Sequence, residues 1–349
     1  MHPEPSTLAL VESPVQLLHV LEWCAWHQSK DLRLAVLSPR DAHGRDQLAT
    51  MRTLAQDSGI DVVWLDPRVS RFAPLGAWRK LRRWAGEADR VVVGDPFSGL
   101  IQSVLVTTRI EKVTVIDDGT ATIDFAELLR SQEPLLRWTV RRGWVTHAIR
   151  TPLARRANRY LGQLGPDALE LFTVMPICDL PHATVTRHRY QWTRRRFGPP
   201  TLHNGVTVVG SSLVESGLLS EEVYLQAITE QLDVLGAPGG VYISHRRERS
   251  SKVRRLIAAT KLKLVTSQLP LEIELRKGPV GRAVICFPST PAFTLPLVLD
   301  GAGTRLRVVP LRASRLSPQA EPRARDFLLR IGAQVSPDDA AGDERADHR

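Results

Sequence analysis

Lys112-Val113-Thr114-Val115-Ile116-Asp117-Asp118-Gly119 is the stretch on which the fold turns. The run Val113-Thr114-Val115-Ile116 is short, β-branched and unbroken by polar alternation, as a strand buried on both faces of a parallel sheet should be. Two adjacent carboxylates leaving such a strand cannot both point into the sheet without a large desolvation cost. Side chains alternate across a strand, so one faces outward at the carboxyl end and the other caps or binds locally. Gly119 admits a tight turn or a positive φ directly after them. Two readings stay open at this point. One is an Asx-type turn that caps the segment at Thr120. The other is a general base on a rigid strand end, its pKa raised by partial enclosure.

Outward from this strand the same grammar repeats. Upstream, Leu8–Glu12, Leu32–Leu37, Asp61–Leu65 and Arg90–Val93 read as strands, and Pro14–Gln28, Arg45–Ser58, Gly76–Ala85 and Ser98–Thr107 as the helices between them and after the fourth. Alternation of this kind signals parallel βαβ units. From about Ala126 to Pro200 the pattern blurs into basic, helical text with Pro breaks. A second series follows, with strands Gly205–Val209, Gly240–Ser244, Leu262–Val265, Arg282–Phe287 and Leu306–Val309. Its helices read Glu221–Leu235, Ser250–Ala259, Leu271–Arg276, Pro291–Leu299 and Ala320–Ile331. The expected fold class is α/β, two Rossmann-like domains with parallel sheets facing across a cleft. The boundaries fall at 1–200, with a basic helical segment over about 126–200, then 201–335, then a disordered tail over 336–349.

Open α/β sheets bind ligands beyond the carboxyl ends of their strands. Polar residues collect there in both halves: Glu12-Ser13-Pro14, Gly94-Asp95-Pro96, Asp117-Asp118-Gly119, Gly210-Ser211-Ser212, His245-Arg246-Arg247-Glu248 and Pro288-Ser289-Thr290. His245 precedes two arginines at the start of a helix, a natural place for a phosphate. It can donate a hydrogen bond or a proton to a leaving phosphate. Glu248 either orients it or pairs with Arg246 or Arg247. Ser289 and Thr290 are helix-capping types, and the same geometry offers hydroxyls and free N–H groups to an anion.

Composition narrows the field. The 349 residues are 43 % apolar and 24 % charged, which excludes a disordered or fibrous chain. Three scattered cysteines, Cys24, Cys178 and Cys286, form neither a disulfide framework nor a zinc site, and point to a reducing, cytoplasmic setting. The start Met1-His2-Pro3-Glu4-Pro5 lacks a signal peptide's basic, apolar pattern, and no apolar run is long enough to cross a bilayer. Lys and Arg number 47 against 37 Asp and Glu, a net charge of +10. The excess concentrates in Arg137, Arg141, Arg142, Arg150, Arg155, Arg156 and Arg159, then Arg187, Arg189, Arg194, Arg195 and Arg196, with Trp138, Trp144 and Trp192 interleaved. This is either a solvated face or a surface for an acidic polymer or an anionic membrane, the latter at the inner face. No nucleic-acid-binding signature, Walker A motif or Gly-rich dinucleotide loop is present, so neither nucleic acid nor a standard NAD site is expected. Neighbouring carboxylates such as Asp117 and Asp118 do not easily share one ion, so no metal is expected.

Glu12-Ser13-Pro14-Val15-Gln16-Leu17-Leu18, Asp117-Asp118-Gly119, Tyr242-Ile243-Ser244-His245-Arg246-Arg247-Glu248, Pro270-Leu271-Glu272 and Ser289-Thr290 together resemble the bacterial sialyltransferases, above all the polysialyltransferase and lipooligosaccharide sialyltransferase families. The matches are the acidic-acidic-Gly, His-Pro and Ser/Thr motifs, in that order, over about Leu10 to Phe293. The second reads His245-Arg246 here, with Ser244 where some members carry Pro. The resemblance implies a GT-B fold and an inverting, metal-independent transfer of sialic acid, or a related keto-sugar acid, from a CMP-sugar to an anionic glycan acceptor. The CMP-sugar is a co-substrate and no other cofactor is implied. Asp117 would be the base, with Asp118 its close alternative, and His245 would assist departure of CMP. Gly210, Ser211, His245, Arg246, Ser289 and Thr290 would hold the donor, with Ser212, Glu215 and Tyr224 nearby. Glu12, Ser13, Gln16, Arg194, Arg195 and Arg196 would face the acceptor. Competing readings are a GT-B transferase for a UDP- or GDP-sugar, and a non-enzymatic basic polyanion-binding protein.

Overall fold

A computed structural model describes residues 6–39, 41–70, 72–137, 144–236 and 239–335, with side chains left undescribed over 144–149. The expected tail at 336–349, together with Trp138, Arg141 and Arg142, lies outside the described residues. The chain forms two compact units, Met1–Trp192 and Thr193–Arg349.

In the first unit the strands are β1 (Thr7–Val11), β2 (Leu32–Leu37), β3 (Asp61–Leu65), β4 (Arg90–Val93), β5 (Lys112–Ile116), β6 (Leu169–Thr173) and β7 (Thr184–Arg187). They form one parallel sheet in the order β3-β2-β1-β4-β5-β6-β7. The helices are α1 (Pro14–His27), α2 (Ala42–Asp57), α3 (Ala73–Glu87), α4 (Gly99–Thr107), α5 (Ala121–Ser131) and α6 (Trp144–Leu164), and α7 (Gln191–Phe197) follows. β1 is buried from end to end and β4 from Val91 to Val93, which is why their apolar runs carry no polar alternation.

The sheet has seven strands where the sequence predicts five. The two extra ones, β6 and β7, lie in the segment that reads as basic and helical. β6 is buried throughout but carries Glu170 at its second position. β7 is an edge strand, Thr184-Val185-Thr186-Arg187, without an apolar face.

The second unit holds β8 (Leu202–Val209), β9 (Gly240–Ile243), β10 (Lys263–Val265), β11 (Val280–Cys286) and β12 (Arg305–Val308), parallel in the order β10-β9-β8-β11-β12. Helices α8 (Glu221–Leu235), α9 (Ser250–Thr260), α10 (Leu271–Lys277), α11 (Thr290–Val298) and α12 (Pro322–Val335) accompany them. Its core joins Val206, Val208, Tyr224, Ile228, Tyr242, Leu256, Ile285 and Phe287.

Strand order reverses between β1 and β4 in the first sheet and between β8 and β11 in the second. Those are the switch points at which open sheets present their loops to ligands. Glu12 and Asp95 follow β1 and β4, and Gly210 and Ser289 follow β8 and β11.

Candidate functional site

At the carboxyl edge of the first sheet, acids and arginines interlock. Glu12 accepts from the Ser98 hydroxyl through Oε1 and from Arg68 Nη2 at 2.5 Å through Oε2. Asp95 Oδ1 accepts the Phe97 N–H at 2.9 Å and faces Arg137 Nη2 at 3.2 Å. Burial pushes the Asp95 carboxyl up to about 6; Arg137 opposes the shift, and Asp118 and Glu12 reinforce it. Arg137 also donates to Asp118 Oδ2 and lies over the Phe97 ring at 5.2 Å. Burial works against its charge, but the two aspartates outweigh burial and raise its pKa.

The paired aspartates divide as strand alternation requires. Asp117 is fully buried. Its Oδ1 accepts from the Thr173 hydroxyl at 2.5 Å and its Oδ2 from the Val174 N–H at 2.7 Å, fastening the end of β5 to the end of β6. Burial raises its carboxyl to about 7 against these hydrogen bonds, and Asp118 adds repulsion. Asp118 is partly exposed, donates its own N–H to Thr122 Oγ1 at 3.1 Å and pairs with Arg137. Gly119 takes φ +66°, the left-handed turn that lets the chain enter α5.

Ser13 caps α1 by accepting the Gln16 N–H at 3.3 Å. Gln16 is buried and its Oε1 accepts the Glu12 N–H at 2.7 Å. A Cβ at Gly94 would lie 2.6 Å from that same oxygen. Of the three acceptor-side candidates at β1, Ser13 and Gln16 therefore shape the loop, and Glu12 carries its only carboxylate.

Beneath Asp117 lies a buried ring cluster that the sequence reading missed. His188 Nδ1 accepts the Tyr190 N–H at 3.4 Å, so its proton sits on Nε2 and points to His19 Nδ1 at 3.2 Å. His19 Nε2–H then faces the Tyr190 hydroxyl oxygen at 3.4 Å. Burial pulls His19 down to about 3 and His188 well below its ordinary value. His19, Asp117 and His188 each offer one atom within 4.8 Å of the others, the spacing of a metal triad. The hydrogen bonds do not fit an ion: metallation of His188 Nε2 needs a proton on Nδ1, where the Tyr190 N–H already points, and both Asp117 oxygens accept from protein donors.

The second unit builds its edge around a buried lysine. Lys252 Nζ reaches Glu248 Oε1 at 2.7 Å, Glu215 Oε2 at 3.3 Å and the Ser211 carbonyl at 2.9 Å, and sits 4.0 Å from the Tyr224 ring centre. Glu248 also accepts from the Tyr242 hydroxyl at 2.5 Å and from the His245 N–H at 2.6 Å. It therefore holds the His245 backbone, and neither orients the ring nor pairs with Arg246 or Arg247. Its negative charge, buried beside Lys252, sets the loop after β9. Gly210 is required here: a Cβ would lie 2.3 Å from Glu248 Oε2 and 2.7 Å from the Tyr242 hydroxyl. Ser211 is buried and gives its N–H to the Tyr224 hydroxyl at 2.9 Å. Tyr224 is wholly buried, stacked on Phe287 at 4.6 Å, and so belongs to the core instead of lining a ligand.

His245 itself is half-buried, and its Nδ1 accepts the Arg247 N–H at 3.1 Å, which leaves the proton on Nε2. Burial lowers its pKa to about 4, with Arg246, Arg247 and Lys252 adding to the effect. At neutral pH it is an uncharged hydrogen-bond donor; the alternative of proton donation requires acid. Arg246 and Arg247 are exposed. Ser289 precedes α11 but does not cap it, since its hydroxyl donates back to the Phe287 carbonyl at 3.0 Å. Thr290 opens the helix. Glu272 is buried and accepts from the Thr294 hydroxyl at 2.9 Å. Arg194 pairs with Asp300 at 3.2 Å, while Arg195 and Arg196 are exposed; all three belong to the second unit.

Two successive Rossmann-like parallel sheets, each with polar groups at its switch point, define a GT-B-type α/β fold. The chain is similar to the α/β-galactoside α-2,3-sialyltransferase of the luminous marine bacterium Photobacterium phosphoreum, at 10 % identity over 95 % of both chains with a TM-score of 0.53. The E. coli heptosyltransferase WaaC, with ADP-2-deoxy-2-fluoro heptose, gives 11 % identity over 93 % of this chain and 99 % of its own, TM-score 0.43. The UDP-N-acetylglucosamine 2-epimerase of Rickettsia bellii gives 9 % over 95 % and 88 %, TM-score 0.47. No family profile and no curated protein matches by sequence.

Proposed function

We propose that this protein is an inverting glycosyltransferase that moves a sugar from a nucleotide-activated donor to a glycan hydroxyl, the donor being CMP-sialic acid or a related CMP-linked keto-sugar acid. The observation that carries the reading is His245: a neutral imidazole at a sheet's carboxyl edge with its Nδ1 occupied by a backbone N–H. The ordered motifs and the fold shared with a sialyltransferase support the choice of donor.

In the proposed step the acceptor oxygen attacks the anomeric carbon and its proton passes to an aspartate. The bond from that carbon to the phosphate oxygen breaks, and the electron pair leaves with CMP. His245 Nε2–H stabilises the charge arriving on that phosphate, with Ser289, Thr290 and Arg246 beside it. We assign the base to Asp118, the member of the pair that is partly open to solvent, and give Asp117, which is fully buried, a positioning role through Thr173 and Val174. The step asks for no cofactor beyond the donor. Glu12, Arg195 and Arg196 are assigned to the acceptor, an anionic glycan that the two exposed arginines attract. CMP release from CMP-sialic acid in the presence of sialylated and neutral glycans tests the reading. Release that depends on an acceptor supports it; release from UDP- or GDP-sugars alone overturns the choice of donor.

A further inference from the structure

The outer face of α3 is more apolar and more cationic than its packing requires. The inner face, Ala77, Leu81, Trp84 and Ala85, is buried. On the outside Phe72 and Leu75 leave 77 % and 47 % of their surface in solvent, and the preceding turn adds Val69 at 73 %. Three of the six large exposed apolar side chains among the described residues thus fall within seven consecutive positions. Phe72, Leu75, Arg79 and Arg83 are spaced by three, four and four, so they run along one side of the helix. Lys80 lies 4.7 Å over Trp84, and Arg82 lies 5.5 Å over Trp78 with its Nε on the Thr107 carbonyl. Against these four cations the helix carries one acid, Glu87, paired with Arg83 across an exposed gap of 3.6 Å.

From this arrangement we infer that α3 docks the first unit onto an anionic lipid bilayer. Val69, Phe72 and Leu75 enter the boundary between headgroups and acyl chains, while Arg79, Lys80 and Arg83 meet the anionic headgroups. An apolar tip continuous with a cationic side matches the layered chemistry of a bilayer surface, and each cation near that surface adds attraction. No helix among the described residues is long and apolar enough to cross a membrane, so the contact is interfacial. The inference stands on this surface alone and is independent of the proposed catalytic chemistry.

The test is co-sedimentation of the full chain with phosphatidylcholine vesicles, with and without about one third phosphatidylglycerol. Wild type is expected to sediment with the anionic vesicles, and less so as salt shortens the screening length. Phe72→Ser/Leu75→Ser and Arg79→Ser/Arg83→Ser should each lower the partition coefficient about tenfold or more. Arg254→Ser/Lys263→Ser, on the second unit, should leave it unchanged. Because all these side chains are exposed, unchanged melting temperatures certify the variants as folded. The inference is overturned if wild type ignores anionic vesicles or if the α3 variants bind as wild type does. A concentration-dependent dimer that Phe72→Ser dissolves would also overturn it, by making this face an interface between copies.

Discussion

Each aspartate of the pair makes a different experimental claim. Asp118→Asn removes the proposed base and should lower kcat by about 10²–10⁴ with little change in melting temperature. Asp117→Asn should cost less activity but change the dependence of stability on pH. The Asp117 carboxyl is held at about 7, above its unfolded value, so the folded state keeps a proton the unfolded state has lost. That contribution is full below about 4 and disappears as pH rises through about 7. The melting temperature of Asp117→Asn relative to wild type should therefore shift in the variant's favour between those limits. His19 works in the opposite sense. It is held at about 3, so its neutral burial favours folding above about 6.5 and is lost as pH falls. His19→Gln should flatten the acid side of the stability profile, read by thermal melts. The acidic pair was legible in sequence because strand alternation forces two adjacent carboxylates apart. His19 and His188 were not, since they lie 169 positions apart and meet only once α1 packs on β6 and β7 pairs beside it.

At the scale of elements, Lys252 ties together the loops after β8 and β9 and the start of α9. Lys252→Met leaves Glu248 and Glu215 without their cation in a buried setting, which should cost about 3–5 kcal/mol in urea unfolding. Gly210→Ala should also destabilise, because the new methyl meets Glu248 and Tyr242. Lysine at the third position of a helix reads as a solvated residue, and no local pattern marks it as buried. β6 escaped notice for a related reason. Its Glu170 breaks the apolar run, yet in the fold it accepts from Trp23 at 3.2 Å, Thr114 at 2.9 Å and Thr186 at 2.7 Å. Although burial pushes its carboxyl up, bonds from His27, Thr186 and Thr114 hold it down to about 2. A charged residue satisfied by three distant elements cannot be recognised from its own strand. By contrast β2, β3, β4 and β5 match their expected bounds residue for residue, because each is a compact apolar run closed by polar or turn residues.

For the whole molecule, the account turns on which nucleotide it binds. CMP at 100-fold its Kd should stabilise the protein by about 2.7 kcal/mol, with UDP and GDP giving less at equal concentration. Arg195→Ser/Arg196→Ser should raise the acceptor KM and leave the donor KM unchanged, with an effect that shrinks as salt rises. The most direct measurement is the rate of sialic acid transfer from CMP-sialic acid by wild type, Asp118→Asn and His245→Ala, all with melting temperatures verified. The account predicts that both variants lose about 10²-fold or more in kcat. Two folded variants that transfer sialic acid at the wild-type rate would contradict it.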